Sequence, residues 1–249
     1  MTLAVLGITA FATSILSAVV GMAGGIVLLS VMLLFFDPLL AIPLHGVVQL
    51  VSNTSRSWIQ RRHVDWRIVG RYAVLLLPMG FVGLALLRAM PPDFARALIG
   101  VFVLVATWAP TWLVVGTHPE RLASGPRFIV LGGVVGVLNT TIGATGPLIA
   151  PFFLNLGLDR RELVGTKAAC QSLGHLAKLV VFGGAGFAFA DWTAPLVLLC
   201  AAVVAGTAVG SAILGRVSET AFVRLYKIIL TGVALRLVLF DGASALGLR

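Results

Sequence analysis

The sequence predicts an all-α polytopic membrane protein: about eight hydrophobic segments in two inverted repeats, each opening with a glycine-broken re-entrant helical hairpin. Three observations carry that prediction. Of 249 residues, 59% are hydrophobic and 11% charged, and the mean hydropathy is +1.06, far outside the range of soluble domains. Apolar runs long enough to cross the ~30 Å hydrocarbon core recur along the chain. The polar residues inside two of these runs form matching helical faces: His45, Gln49, Asn53 and Arg56 in one, and Lys167, Gln171, His175 and Lys178 at an offset of 122 residues in the other.

The first run, 3–36, has no Lys or Arg before it and no clear small-residue cleavage site, so it reads as a retained membrane segment and not a signal peptide. As one helix its 34 residues would extend ~51 Å, so it either overhangs the bilayer or breaks at Gly21, Gly24 and Gly25. The run 40–59 carries the first polar face, whose spacings of four, four and three residues place it on one side of a helix. Runs 68–87 and 97–115 read as plain spans. The run 128–156 is overlong again and is interrupted by Thr140, Thr141, Gly143, Thr145, Gly146 and Pro147. The second polar face lies in 163–189, and 194–214 and 221–240 complete the set. Gly206 and Gly210, four apart, read as a packing motif. The whole chain, 1–249, forms one transmembrane transport domain of two repeats, about 3–116 and 127–241, with almost nothing left for a soluble part.

Duplication rests on which residues match. An offset of 122 pairs Gly21 with Gly143, Gly24 with Gly146, Asp37 with Asp159 and Gln49 with Gln171, and sets Arg56 opposite Lys178. After a further shift of four, Asp65-Trp66 meets Asp191-Trp192 and Gly80 meets Gly206. Matches on Gly, Asp and Gln are more telling than matches on Leu or Val.

Orientation follows from charge. The net charge of +9 sits mainly in short loops, so it marks membrane orientation and not nucleic-acid binding. If each overlong run crosses once, the basic residues other than Lys178 divide nine to eight. If each folds back, one side collects Arg56, Arg61, Arg62, Arg67, Arg71, Arg121, Arg127, Arg160, Arg161, Lys167, Arg216, Arg224 and Lys227, and the other keeps Arg88, Arg96, Arg236 and Arg249, a split of 13 to 4. The positive-inside rule favours the second arrangement, with both termini outside the cytoplasm of a bacterial inner membrane. Eight simple spans are the rival. All five tryptophans, at 58, 66, 108, 112 and 192, fall near span ends, as an interfacial belt requires.

The candidate site is anionic in preference. In the hairpin reading, helices begin at Gly24-Gly25 and Gly146-Pro147 near mid-membrane, and their free N–H groups would cradle an anion. Asn139, Thr140, Thr141 and Thr145 could add donors; Gln49, Asn53, Gln171 and His175 complete the shell, with Lys178 or Arg56 as full charge. His45 and Lys167 lie near span ends, where an interfacial role is expected. All nine acids fall at span ends or in loops, whereas cation carriers and proton pumps usually need an embedded carboxylate. The competing reading of the amides and glycines is helix packing alone. Cys170 and Cys200 lack metal-ligand company, and no cofactor is expected. The rival functional classes are a membrane-embedded enzyme, for which no metal cluster or nucleophile–base pair is evident, and an anion channel subunit. Proton coupling through His175 is open.

The stretches Gly21-Met-Ala-Gly-Gly25 followed by Asp37-Pro38, Gly143-Ala-Thr-Gly-Pro147, and Gly165-Thr-Lys-Ala-Ala-Cys-Gln171 resemble the sulfite exporter family named for TauE and SafE, over nearly the whole length. The glycine cluster is thinner here, and Thr145 and Pro147 interrupt it in the second half. The resemblance implies a duplicated permease for sulfur-containing anions such as sulfite, sulfoacetate or related sulfonates, usually moved outward.

Overall fold

The computed structural model describes residues 1–20, 24–114, 124–153, 156–213 and 219–248, which are helical with short connections and contain no strand. Gly21, Arg121, Arg216 and Arg249 lie outside the described residues. The long helices are α1 (Thr2–Val20), α3 (Pro38–Ile59), α4 (Trp66–Ala89), α5 (Pro92–Trp108), α6 (Ser124–Thr141), α8 (Arg160–Gly184), α9 (Thr193–Ile213) and α10 (Glu219–Arg236); α2 (Gly24–Met32), α7 (Gly146–Ile149) and α11 (Gly242–Ala245) are short. Among the described residues, Trp66–Ala89, Phe189–Gly210 and Val223–Ala245 are long and apolar enough to cross a membrane, and Thr2–Ala18 is a shorter apolar helix.

Both overlong runs double back. A Cβ added at Gly24 would collide with the Thr13 carbonyl oxygen and Ser17 Oγ of α1, so α2 begins beside the middle of α1 instead of extending it. The end of α2 returns to the start of α1: Met32, Phe35 and Phe36 share a groove with Thr2, Leu3 and Leu6. In the second half α6 ends at Thr141, and Gly143 turns the chain with φ +89, a conformation that L side chains rarely adopt. The chain then returns along α6, bringing the Pro151 carbonyl to Arg127 (3.4 Å) and the ring of Phe153 to that of Phe128 (5.0 Å).

The two halves embrace each other. The first helix of each packs on the fourth of the other, α1 on α9 and α6 on α4, and α3 packs on α8 between them. Small residues make these crossings close. Gly132 lies against the Tyr72 carbonyl, Gly206 against the Phe11 carbonyl and Ser14, and Gly210 against Ile15 and Ala18. Gly80, which aligns with Gly206 after the further shift of four, meets Gly136, and Gly136 aligns with Ser14 at the 122-residue offset. Such contacts let backbones approach where no hydrophobic force drives helices together.

Helix caps fix the ends. Asp65 accepts the backbone N–H groups of Arg67 and Ile68 at the start of α4; Asp159 and Glu162 form a capping box at the start of α8, which satisfies donors that a helix start leaves open. At one end of the bundle Arg96 bridges Asp37 and Asp93, Arg236 pairs with Asp241 at 2.7 Å, and Ser244 donates to Asp93. The beginning and the end of the chain therefore sit at the same end. At the opposite end the Asp65 backbone N–H donates to Thr166 Oγ1 and Gly165 abuts Gln60.

Candidate functional site

The two hairpin tips share one cavity. It is lined on the first tip by Gly25 and Ile26 and on the second by Ala144, Thr145, Gly146 and Pro147. α3 adds His45, α4 Tyr72, α6 Val135 and Asn139, and α8 Gln171, Gly174 and His175. The space is ≈ 30 Å³, room for one or two waters, with polar groups in its wall to hold them.

Each tip is tied by a basic side chain from the long helix that follows it. The His45 ring Nε2 lies 2.8 Å from the Gly25 carbonyl, and Lys178 Nζ donates to the Gly143 carbonyl at 2.7 Å. Lys178 is fully buried, and Gly46 of α3 exists to admit its chain, since a Cβ there would stand 2.9 Å from Lys178 Cδ. The rings of His45 and His175 meet edge-on with centroids 5.9 Å apart, which joins α3 to α8 across the cavity.

The sequence-predicted residues divide into three groups. Gly25, Asn139, Thr145, Gly146, Gln171 and His175 line the cavity. Gln49 and Lys178 stand just behind it: the Gln49 amide packs on Gly25, where a Cβ would approach within 2.9 Å of Oε1. The others turn to structural partners. Gly24 seats the hairpin on α1; Asn53 donates to the Gln49 carbonyl of its own helix at 2.9 Å; Arg56 folds onto Ser52; Thr141 donates to the carbonyls of Gly83 and Val137, both 2.9 Å away. Thr140 likewise reaches the Gly80 carbonyl. These hydroxyls fasten α6 to α4.

Two expectations change. His45 reads as interfacial from its place near a span end, yet it lies in the cavity wall because α2 folds under the start of α3; Lys167, read the same way, is buried and does not line the cavity. The two tips also differ: α2 is a helix of nine residues, but α7 has four and passes into a 3₁₀ turn at Ala150–Phe153, so only the first presents a helix start with an appreciable dipole. Tyr72 was not singled out at all. It is fully buried with its hydroxyl facing Gly174, and its signal in the sequence is its rarity, since the chain holds two tyrosines.

Four polar atoms of the cavity residues have no partner: Tyr72 Oη, Asn139 Oδ1, and Nδ1 of both His45 and His175. Buried polar atoms are nearly always paired, so unpaired ones converging on one space mark a place for a ligand or water. No carboxylate lines it. The basic group nearest to it is the Lys178 amine, just behind the wall.

Residues 6–237 match the family described as Sulfite exporter TauE/SafE. The chain belongs to the TauE/SafE family. No curated protein and no solved structure matches it. For this TauE/SafE chain the match extends from α1 through α10, so it includes both hairpins and every residue of the cavity.

Proposed function

We propose that the protein exports a small sulfur-containing anion, such as sulfite, sulfoacetate or a related sulfonate, through the cavity between the two hairpin tips. The observation that carries the reading is the convergence of unpaired polar atoms and the Lys178 charge in a carboxylate-free space at the junction of the halves. The family's description supplies the sulfur chemistry. A site combining amides, hydroxyls, backbone N–H groups and one full charge can hold an oxyanion from several directions.

The reading includes eight membrane segments in two inverted repeats. Its support is the exchanged packing of first and fourth helices and the return of both hairpins to the end from which they start. Followed through the helices, that path leaves Arg88, Arg96 and Arg236 at the end holding both termini. Arg61, Arg62, Arg67, Arg71, Arg127, Arg160 and Arg161 gather at the other, which is then cytoplasmic. In a bacterial inner membrane, negative inside, outward movement of one negative charge is favoured by ~2.3 kcal/mol per 100 mV, so a uniporter suffices for export. Inversion places two similar tips at the midplane from opposite faces, the arrangement in which alternate opening toward either side requires only that one half rock against the other.

Reconstitution into vesicles with an imposed potential tests the proposal. Saturable sulfite or sulfoacetate flux that accelerates with a positive potential on the receiving side is expected. Flux that does not saturate would indicate a channel, and absence of flux with all sulfur anions would overturn the proposal.

A further inference from the structure

Resting on the sulfur-anion reading, we infer that the cavity takes its substrate with a proton attached: a monoanion that donates one hydrogen bond, such as hydrogensulfite, with Asn139 as the residue selecting for that donor. Asn139 Nδ2 is 2.8 Å from the Gly174 carbonyl. A carbonyl only accepts, so the nitrogen must face Gly174 and the oxygen must face away. That oxygen, on a residue 3% exposed, has no partner and belongs to the cavity wall. His45 repeats the pattern. Its Nε2 faces the Gly25 carbonyl and so carries a hydrogen, and its Nδ1 has no hydrogen-bond partner.

A fully deprotonated oxyanion brings only acceptors. Against Asn139 Oδ1 it would set lone pair against lone pair in a place water leaves on binding, and a buried acceptor would stay unpaired. One hydroxyl on the ligand removes the conflict at Asn139, while the remaining oxygens take hydrogens from Tyr72 Oη and Gln171. An ammonium group could also satisfy Asn139, but the titratable groups that line the cavity are His175 from α8, His45 from α3 and Tyr72 from α4, with Lys178 and Cys170 of α8 and Arg56 of α3 close behind them. None is a carboxylate, so a cation there would be desolvated without a counter-charge. Sulfite takes up a proton near neutral pH, so both of its forms are present in a cell.

Methanesulfinate separates the possibilities. It carries the same single charge on a pyramidal SO₂ group and has a methyl where hydrogensulfite has its hydroxyl. Binding of each to the purified full chain, followed by ligand-dependent thermal stabilisation, is expected to favour hydrogensulfite by about tenfold or more, the effect of leaving one buried acceptor unpaired. Sulfite binding should fall as pH rises from mildly acid to mildly alkaline while methanesulfinate binding holds steady; the second ligand thereby controls for titration of His45, His175 and Lys178. Asn139→Leu should erase the preference, whereas Tyr72→Phe should weaken both ligands and leave their ratio. If Asn139→Leu does not fold, the wild-type comparison still decides. Equal binding of the two anions would overturn the inference and leave the sulfur-anion reading standing. Binding of neither would overturn both, and loss of preference in Tyr72→Phe but not in Asn139→Leu would move the role to Tyr72.

Discussion

The two hairpins solve one problem with different residues. In the first, the tip is wedged against its own outgoing helix: Gly24 leaves no room for a Cβ beside Thr13 and Ser17 of α1, and His45 holds the Gly25 carbonyl. In the second, the tip turns through the positive φ of Gly143, Lys178 holds that residue's carbonyl, and Thr140 and Thr141 bind the outgoing helix to α4. The basic groups sit at unmatched positions, since the 122-residue offset pairs His45 with Lys167 and Arg56 with Lys178. What the halves share is a geometry, a broken backbone whose carbonyl needs a donor in a medium without water. The side chain that meets the need has been free to move.

That contrast predicts unequal damage. Gly24→Val should be the most severe change, because the new side chain meets backbone atoms that cannot move aside; the cost should exceed the ~1–3 kcal/mol of ordinary overpacking and appear as loss of folded protein on size exclusion. Gly143→Ala should be milder. Its strained φ costs ~1–2 kcal/mol, and the nearest atom to an added Cβ, at 2.8 Å, is Cδ2 of the Leu29 side chain, which can rotate. Equal damage at both would break the distinction between a wedged tip and a turned one.

Lys178→Met sharpens the comparison. It removes a charge from an apolar interior and also leaves the Gly143 carbonyl unpaired, at ~1–3 kcal/mol. The expected outcome is a modestly lower melting temperature with anion affinity reduced by an order of magnitude or more. His45→Leu should loosen the first tip by a similar amount and weaken affinity less, since an uncharged imidazole contributes no ionic attraction. If the two variants lose affinity equally, the second tip has no privileged charge.

The smallest effect lies at the capping box that starts α8. The backbone N–H of Glu162, then that of Arg161, holds the Asp159 carboxyl below the usual carboxylate range. A lowered folded-state value means the cap's contribution is complete above the ordinary carboxylate pKa and is lost as pH falls through the lowered one. Asp159→Ala should therefore lower thermal stability slightly at neutral pH, and by a shrinking margin in acid. A margin that grew in acid would contradict the assigned cap.

The breaks in the long runs were legible because glycine clusters and excess length are local signals: helices begin at Gly24 and Gly146 where the sequence alone places them. The aligned polar faces were legible too, but not the direction in which each side chain works. Thr141 and Asn53 look like ligand donors in a list of intramembrane polar residues, yet Asn53 turns back to the Gln49 carbonyl of its own helix, and Thr141 reaches the Gly83 carbonyl, which stands opposite only because of how α4 crosses α6. His45 was misplaced for a related reason. Distance from a span end measures depth only in a straight helix packed on straight neighbours, and α2 folds beneath the start of α3. Tyr72 shows only its rarity in the sequence, because one tyrosine in an apolar helix acquires meaning only through the Gly174 that faces it.

The central claim is that substrate sits between the two tips, and site-directed protection tests it most directly. In a background with Cys170→Ala and Cys200→Ala, a cysteine is placed at Thr145 on the second tip or at Ile26 on the first, and its reaction rate with a small maleimide is followed with and without sulfoacetate. The account predicts that sulfoacetate slows labelling at both positions, while labelling of a cysteine at Trp112, remote from the cavity, is unchanged. Labelling of the two tip cysteines at the same rate in saturating sulfoacetate would contradict it.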